Sequence, residues 1–336
     1  MPKMVLTGGQ SGTLRSGLND AFANAYGSQA PLVAEQLAPV MDLNVPTGGD
    51  REVFAYYKHA PYPRYWPRGQ EVEKAGFEAV QFEVLNYDYG LEVEWHSDDE
   101  ADDRIGMLRN RAANTGQNFA WNDSAAFFDL LLGTTAFLPG TVAAPDGATI
   151  YATTAGGAAR FGATGGNLIT STGNNSFSSA AVLRADFWTA VERFRLFQNT
   201  ESRRLFPDSV LNSGFVMYFG AGNEDVASEA FMQNPTAAGI LTSTSNAGVQ
   251  NIFMAAGKSI ELRPVQEITD NDAFIFLKGV DYKPFFKQVR QPVSEQQFDQ
   301  ANSKESARTL LNSMIWHERA GYGVFLPYGT IKLNGT

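Results

Sequence analysis

From Asp102 to Leu132 the chain runs without a proline, and the next one is Pro139. Apolar residues recur along it at Ile105, Leu108, Ala112, Phe119, Phe127, Leu130 and Leu131, and Asp98, Asp99, Glu100, Asp102 and Asp103 stand at its start. Carboxylates are favoured at a helix start, because free backbone N–H groups and the macrodipole attract negative charge. A continuous helix from Asp102 to Leu132 would be about 45 Å long at about 1.5 Å per residue. Gly116 and the Asn122-Asp123-Ser124 cluster are places where it would bend or divide, so the stretch reads as one long helix or two nearly collinear ones.

The segments before it differ in character. Residues 1 to 49 hold few charges and much Gly, Ala, Ser and Asn, with one short helical pattern from about Leu18 to Ala25. Such a stretch buries little by itself and reads as a flexible arm or a segment ordered by something else. From Val53 to Trp66, the side chains of Phe54, Tyr56, Tyr57, Tyr62, Tyr65 and Trp66 crowd around Pro61, Pro63 and Pro67. The prolines forbid a helix, so an extended loop is expected. Phe82 and Val84, then Leu91, Val93 and Trp95 with Glu92 and Glu94 between them, alternate with the period of half-buried strand. Residues 50 to 97 are therefore expected to form a long two-stranded protrusion.

Beyond the long helical stretch, residues 133 to 179 read as turns and short strands. Phe187, Val191, Phe194 and Phe197 recur at three-to-four spacing and predict a helix from about Arg184 to Phe197. Strands are expected at Gly214 to Phe219, Gly248 to Met254, Ser259 to Leu262, Ala273 to Gly279, Lys283 to Val289, Leu310 to Ala320 and Tyr322 to Lys332. Helices and strands are grouped unevenly rather than alternating as βαβ units, so the class is α+β.

Composition narrows the function. The chain has 336 residues, 43% hydrophobic and 18% charged, enough to bury a core in one large domain or two ordinary ones. With no cysteine there are no disulfides, thiolate zinc sites, iron-sulfur clusters or cysteine nucleophiles. His59, His96 and His317 share no metal-binding spacing. A formal net charge of -10 repels nucleic acid and anionic lipid. No run approaches the roughly 18 apolar residues that span a bilayer, and Met1 to Gly12 lacks a signal-peptide layout.

The sharper motifs lose to plainer readings. The acidic run 98–103 lacks calcium-loop spacing and is explained by helix capping. Gly156, Gly157, Gly162, Gly165 and Gly166 match neither phosphate-loop pattern, and Gly9 to Thr13 misses the second glycine of a nucleophile elbow. No catalytic, cofactor-binding or metal residue is assigned. Lys58, Arg64 and Arg68 among aromatics suit either single-strand stacking or docking on an acidic neighbour, and the net charge favours docking on protein.

These features also carry a resemblance. Val93 to Gly106 (VEWHSDDEADDRIG), Phe127 to Leu131 (FFDLL), Pro145-Asp146-Gly147 leading to Asn167, and Arg319 to Gly323 (RAGYG) before Pro327-Tyr328 resemble, in this order, the major head subunits of tailed bacteriophages. The Mu-like major head subunit gpT family is the most similar group. The resemblance implies a Hong Kong 97-type capsid fold, with residues 1–49 as N-terminal arm and 50–97 as E-loop and its base. It places 98–140 and 272–325 in a P-domain whose spine helix covers about 102–132, and 141–271 and 326–336 in an A-domain. It implies no enzyme and no cofactor, but hexamers and pentamers closing into an icosahedral head in the virion, assembled in the host cytoplasm. The partners implied are other copies, a scaffold, a portal and decoration proteins, around double-stranded DNA held without tight binding and with no membrane. No long scaffolding extension precedes the arm, so a separate scaffold or a start at the mature end is expected.

On this reading Lys58, Tyr62, Arg64, Tyr65, Trp66 and Arg68 of one loop meet Glu92, Glu94, Asp98, Asp99, Glu100, Asp102 and Asp103 of the next subunit. The alternatives are an encapsulin-like nanocompartment shell and a carboxylate-dependent hydrolase working through the 98–103 region.

Overall fold

The computed structural model describes residues 13–49, 51–57, 65, 68, 71, 79–96, 105–140, 166–171, 175–198, 204–231, 259–280, 282–298, 303–325 and 329–335. The expected strand Gly248 to Met254, the glycines at 156–165 and most of the aromatic loop lie outside these residues. The chain divides into two compact units: Met1–Val53, Glu83–Val142 and Phe285–Gly323 form the first, and Phe54–Phe82, Ala143–Pro284 and Val324–Thr336 the second.

The first unit pairs two helices with a four-stranded sheet. Helix α1 spans Thr13–Leu37. Leu18, Phe22, Val33 and Leu37 are buried on one stripe of it, at intervals that return to the same helical face. Pro31 lies inside this helix but on its exposed side, where water can hydrate the carbonyl it leaves without a donor. Helix α2 is continuous from Ile105 to Leu132. Gly116 does not divide it: a Cβ there would lie 2.4 Å from the Phe22 carbonyl oxygen, so glycine is what lets α1 cross α2 closely.

The sheet has the order β1-β9-β10-β4, from Met41–Pro46, Phe285–Phe298, Leu311–Val324 and Tyr87–His96. Strand β1 runs parallel to β9, and β10 runs antiparallel to β4 from Leu311 opposite His96 to Ala320 opposite Tyr87. Leu18, Phe22, Ala112 and Phe119 of the helices form one buried cluster with Val93, Trp95, Met314 and Trp316 of the sheet. Phe22 stacks on Trp316 with ring centroids 4.7 Å apart.

Of the two readings of residues 1–49, a flexible arm or a segment ordered by something else, residues 13–46 follow the second, because α1 and β1 are part of this core. Residues 50–97 do not form one two-stranded protrusion. Strands β2 (Arg51–Tyr57) and β3 (Ala79–Leu85) pair as a ribbon, whereas β4 belongs to the four-stranded sheet. The alternation of Val93 and Trp95 with Glu92 and Glu94 marks a strand correctly but does not name its partner, which lies more than 200 residues on in the chain.

The second unit is built on a five-stranded sheet, order β5-β11-β8-β6-β7, from Leu168–Thr170, Thr330–Asn334, Ala273–Leu277, Phe215–Gly220 and Ile260–Val265. Every residue of β6 and β8 is buried, so these strands read as continuous apolar runs without alternation. Helices α3 (Ala180–Leu196) and α5 (Glu224–Phe231), with the short α4 (Asp208–Leu211) between them in sequence, pack on one face. The Phe187 ring centroid lies 5.3 Å from those of Phe215 and Phe231. Ser179 caps α3 by accepting a hydrogen bond from the Val182 N–H.

Of the 272–325 expected to group with 98–140, strand β8 belongs instead to this sheet. Strand β8 lies between β11 and β6, so the chain crosses to the first unit only at Phe285. The expected strand Tyr322 to Lys332 is likewise two segments, since β10 runs on to Val324 and β11 begins at Thr330.

Candidate functional site

A surface for holding copies of a chain together needs exposed side chains, a free strand edge or both, mounted on a rigid support. Strand β4 is the last in its sheet, so among the described residues its second edge faces no strand. Along it Glu92 and Glu94 are exposed while Val93 and Trp95 point into the core. Tyr87 and Leu91 add exposed apolar surface on the same strand. On α2, Met107, Arg111, Asn114, Asn118 and Trp121 are spaced by four and three residues and all are exposed, with Met107 at 74% and Trp121 at 50%. This gives α2 an outward stripe opposite the one that meets α1 and the sheet.

The residues expected to make contacts between subunits fall into two groups. Tyr65, 90% exposed, and Arg68, also exposed, lie in the segment between β2 and β3, and Glu92 and Glu94 lie on β4. Lys58, Tyr62, Arg64, Trp66, Asp98, Asp99, Glu100, Asp102 and Asp103 lie outside the described residues.

Two supports of this surface escape sequence reasoning. The first is a buried charged cluster. Lys287 Nζ on β9 lies 2.6 Å from Asp123 Oδ1 on α2 and 2.6 Å from Glu318 Oε1 on β10. The Tyr322 hydroxyl donates to the same Asp123 oxygen at 2.8 Å, and the ammonium lies 5.7 Å from the Tyr322 ring centroid. Burial alone would lower the Lys287 pKa, but Asp123 and Glu318 more than reverse it and hold the ammonium charged. Two carboxylates share one cation, so burial and the Asp123 charge leave the Glu318 carboxyl raised despite Lys287. Tyr26 on α1 is pushed up to about 12, first by burial and then by Glu318.

The second is the turn after α2. The Asp129 carboxylate accepts from Thr134 Oγ1 at 2.6 Å and from the N–H groups of Ala136, Phe137 and Leu138 at 3.2, 2.6 and 2.7 Å. Burial raises its pKa, but these four donors outweigh it and hold the carboxyl below its usual range. Asn122-Asp123-Ser124 and Phe127 to Leu131 both stood out in the sequence, yet neither shows there what its carboxylate binds. Among the described residues no group of three or more His, Asp or Glu is placed to hold a metal, and no helix is long and apolar enough to cross a membrane.

Residues 12–153 match the family of the Mu-like prophage major head subunit gpT. Over that segment the sequence is similar to phage major head subunits, and over most of the chain the fold is that of phage capsids. The capsid protein of the Cyanophage P-SCSP1u superposes with a TM-score of 0.55 at 11% identity, over 89% of this chain and 87% of that one. A chain of Mycobacterium phage Patience gives 0.53 at 11% identity over 99% and 95%. The mature capsid of bacteriophage PhiM1 gives 0.52 at 9% over 88% and 85%. At such identities the likeness lies in the Hong Kong 97-type fold alone. No curated protein matches the sequence.

Proposed function

We infer that this protein is a phage major head subunit, which assembles with copies of itself into the icosahedral shell around double-stranded DNA in the virion. The match of residues 12–153 to the Mu-like major head family carries this reading, and the capsid fold over 89% of the chain supports it. The role is structural rather than enzymatic. Hexamers close the shell with pentamers at its vertices, and scaffold, portal and decoration proteins are its further partners. With a net charge of -10 per subunit, the shell wall repels the genome and lets packaged DNA slide.

In this reading Glu83–Val142 and Phe285–Gly323 form the P-domain with α2 as its spine, Ala143–Pro284 and Val324–Thr336 the A-domain, residues 1–49 the N-terminal arm, and the β2–β3 ribbon the E-loop. Lys58, Arg64 and Arg68, with Tyr62, Tyr65 and Trp66, dock on Glu92, Glu94 and the 98–103 carboxylates of the adjacent copy. Negative-stain microscopy and light scattering on the purified chain test the function. Closed shells of uniform size are expected, and a stable monomer at all concentrations would overturn the reading.

A further inference from the structure

We propose that Asn86 and Gln288 are positioning residues that set where the β2–β3 ribbon leaves the four-stranded sheet, with Gly321 keeping their seat open. The proposal deepens the capsid reading and rests on it for what the ribbon touches.

The chain approaches the ribbon through a turn at Thr47 to Gly49 and leaves it at Asn86. The Glu52 carboxylate folds back on the turn, accepting from Thr47 Oγ1 at 2.7 Å and from the N–H groups of Gly48 and Gly49 at 2.9 and 3.2 Å. Asn86 Nδ2 donates to the Gly49 carbonyl at 2.8 Å. Gln288 Nε2, on β9, donates to Asn86 Oδ1 at 2.8 Å and to the Val84 carbonyl at 3.2 Å. A chain of hydrogen bonds therefore runs from the first root of the ribbon through Asn86 to β9 and back to the second root.

Each amide has its nitrogen on an oxygen, so this arrangement holds only with the two roots side by side. Filling space does not explain it. Gln288 is fully buried, and its Oε1 has no hydrogen-bond partner, a cost that an apolar side chain would avoid. Buried polar groups are best justified by register, here the register of two roots against one strand. Strand β10 is shaped to match. A Cβ on Gly321 would lie 2.6 Å from the Leu85 carbonyl oxygen, 2.7 Å from Gln288 Nε2 and 3.0 Å from Asn86 Oδ1. Tyr322, next along, points to the opposite face and meets Asp123. The Gly-Tyr-Gly run that stood out in the sequence thus serves the ribbon root on one face and the charged cluster on the other.

Amide hydrogen exchange on the full chain tests this with Asn86→Ala and Gln288→Met, the latter keeping volume without the donor. Exchange at residues 47–57 and 79–86 should rise about tenfold while α2 amides stay within about twofold of the parent, and shells should be fewer and irregular. Unchanged exchange at the roots, or a rise shared by α2, would overturn it. Should Asn86→Ala fail to fold, Gly321→Ala presses on the same amides and must show the same local pattern. If the parent chain forms no shells, the capsid reading fails, and root exchange still decides the clasp.

Discussion

The ammonium of Lys287 lies 2.6 Å from the carboxylate of Asp123, joining the middle of the sheet to the long helix across 164 positions of sequence. Both are oriented by further partners, Glu318 and Tyr322, so the link is a network rather than a lone pair. Removing one member of such a network leaves the others buried and uncompensated.

Lys287→Met should therefore lower subunit stability by about 3–5 kcal/mol in urea unfolding, because Asp123 and Glu318 would then face each other without a cation. Adding Glu318→Gln should recover part of the loss, since it removes one of the two opposed charges. A Lys287→Met protein as stable as the parent would show that the cluster contributes nothing.

Asp129→Asn should cost about 2 kcal/mol at pH 7, as a charged acceptor of four hydrogen bonds becomes a neutral one. The folded carboxyl is held below its ordinary value, so its contribution is present above about pH 4 and is lost as pH falls through the lower folded value. The stability difference between parent and variant should accordingly shrink between pH 7 and pH 3. A gap that stays constant over that range would contradict the assignment.

Phe22→Ala tests whether α1 belongs to the core. Its ring stacks on Trp316 and meets Phe119 edge-on at 5.7 Å, so truncation should cost about 3–5 kcal/mol. Were the first 49 residues an arm without local contacts, the melting temperature of the unassembled subunit would not change.

On the docking proposed above, Trp66→Ala should weaken shells more than Arg64→Gln. Exposed ion pairs contribute only about 0–1 kcal/mol each, whereas a buried aromatic anchor carries more. Thermal disruption of assembled shells, followed by light scattering, ranks the two. A Trp66 variant as heat-resistant as the parent would remove the aromatic anchorage from the account.

The elements that could be read in advance are those whose pattern is local. The helix through Ala112, Phe119 and Phe127, the helix carrying Phe187, Val191 and Phe194, and the alternation about Val93 and Trp95 each announce a period within a dozen residues. The α1 core contact was not legible, because Leu18 and Phe22 are sparse in a small-residue stretch and gain burial only where Gly116 lets a second helix approach.

The sequence by itself determined the helical and extended segments, the absence of cysteine chemistry, the negative charge and an order of motifs that resembles that of phage head subunits. Tertiary structure decided which strand β4 joins, which sheet takes β8, and which groups Asp123, Asp129, Asn86 and Gln288 bind. The physical reason is range. Periodicity reports which side of a segment is apolar, whereas a buried charge or amide is satisfied by whatever the folded chain brings to it. Lys287 and Gln288 are neighbours in sequence, yet they point to opposite faces of β9, one to a helix carboxylate and one to the root of a ribbon.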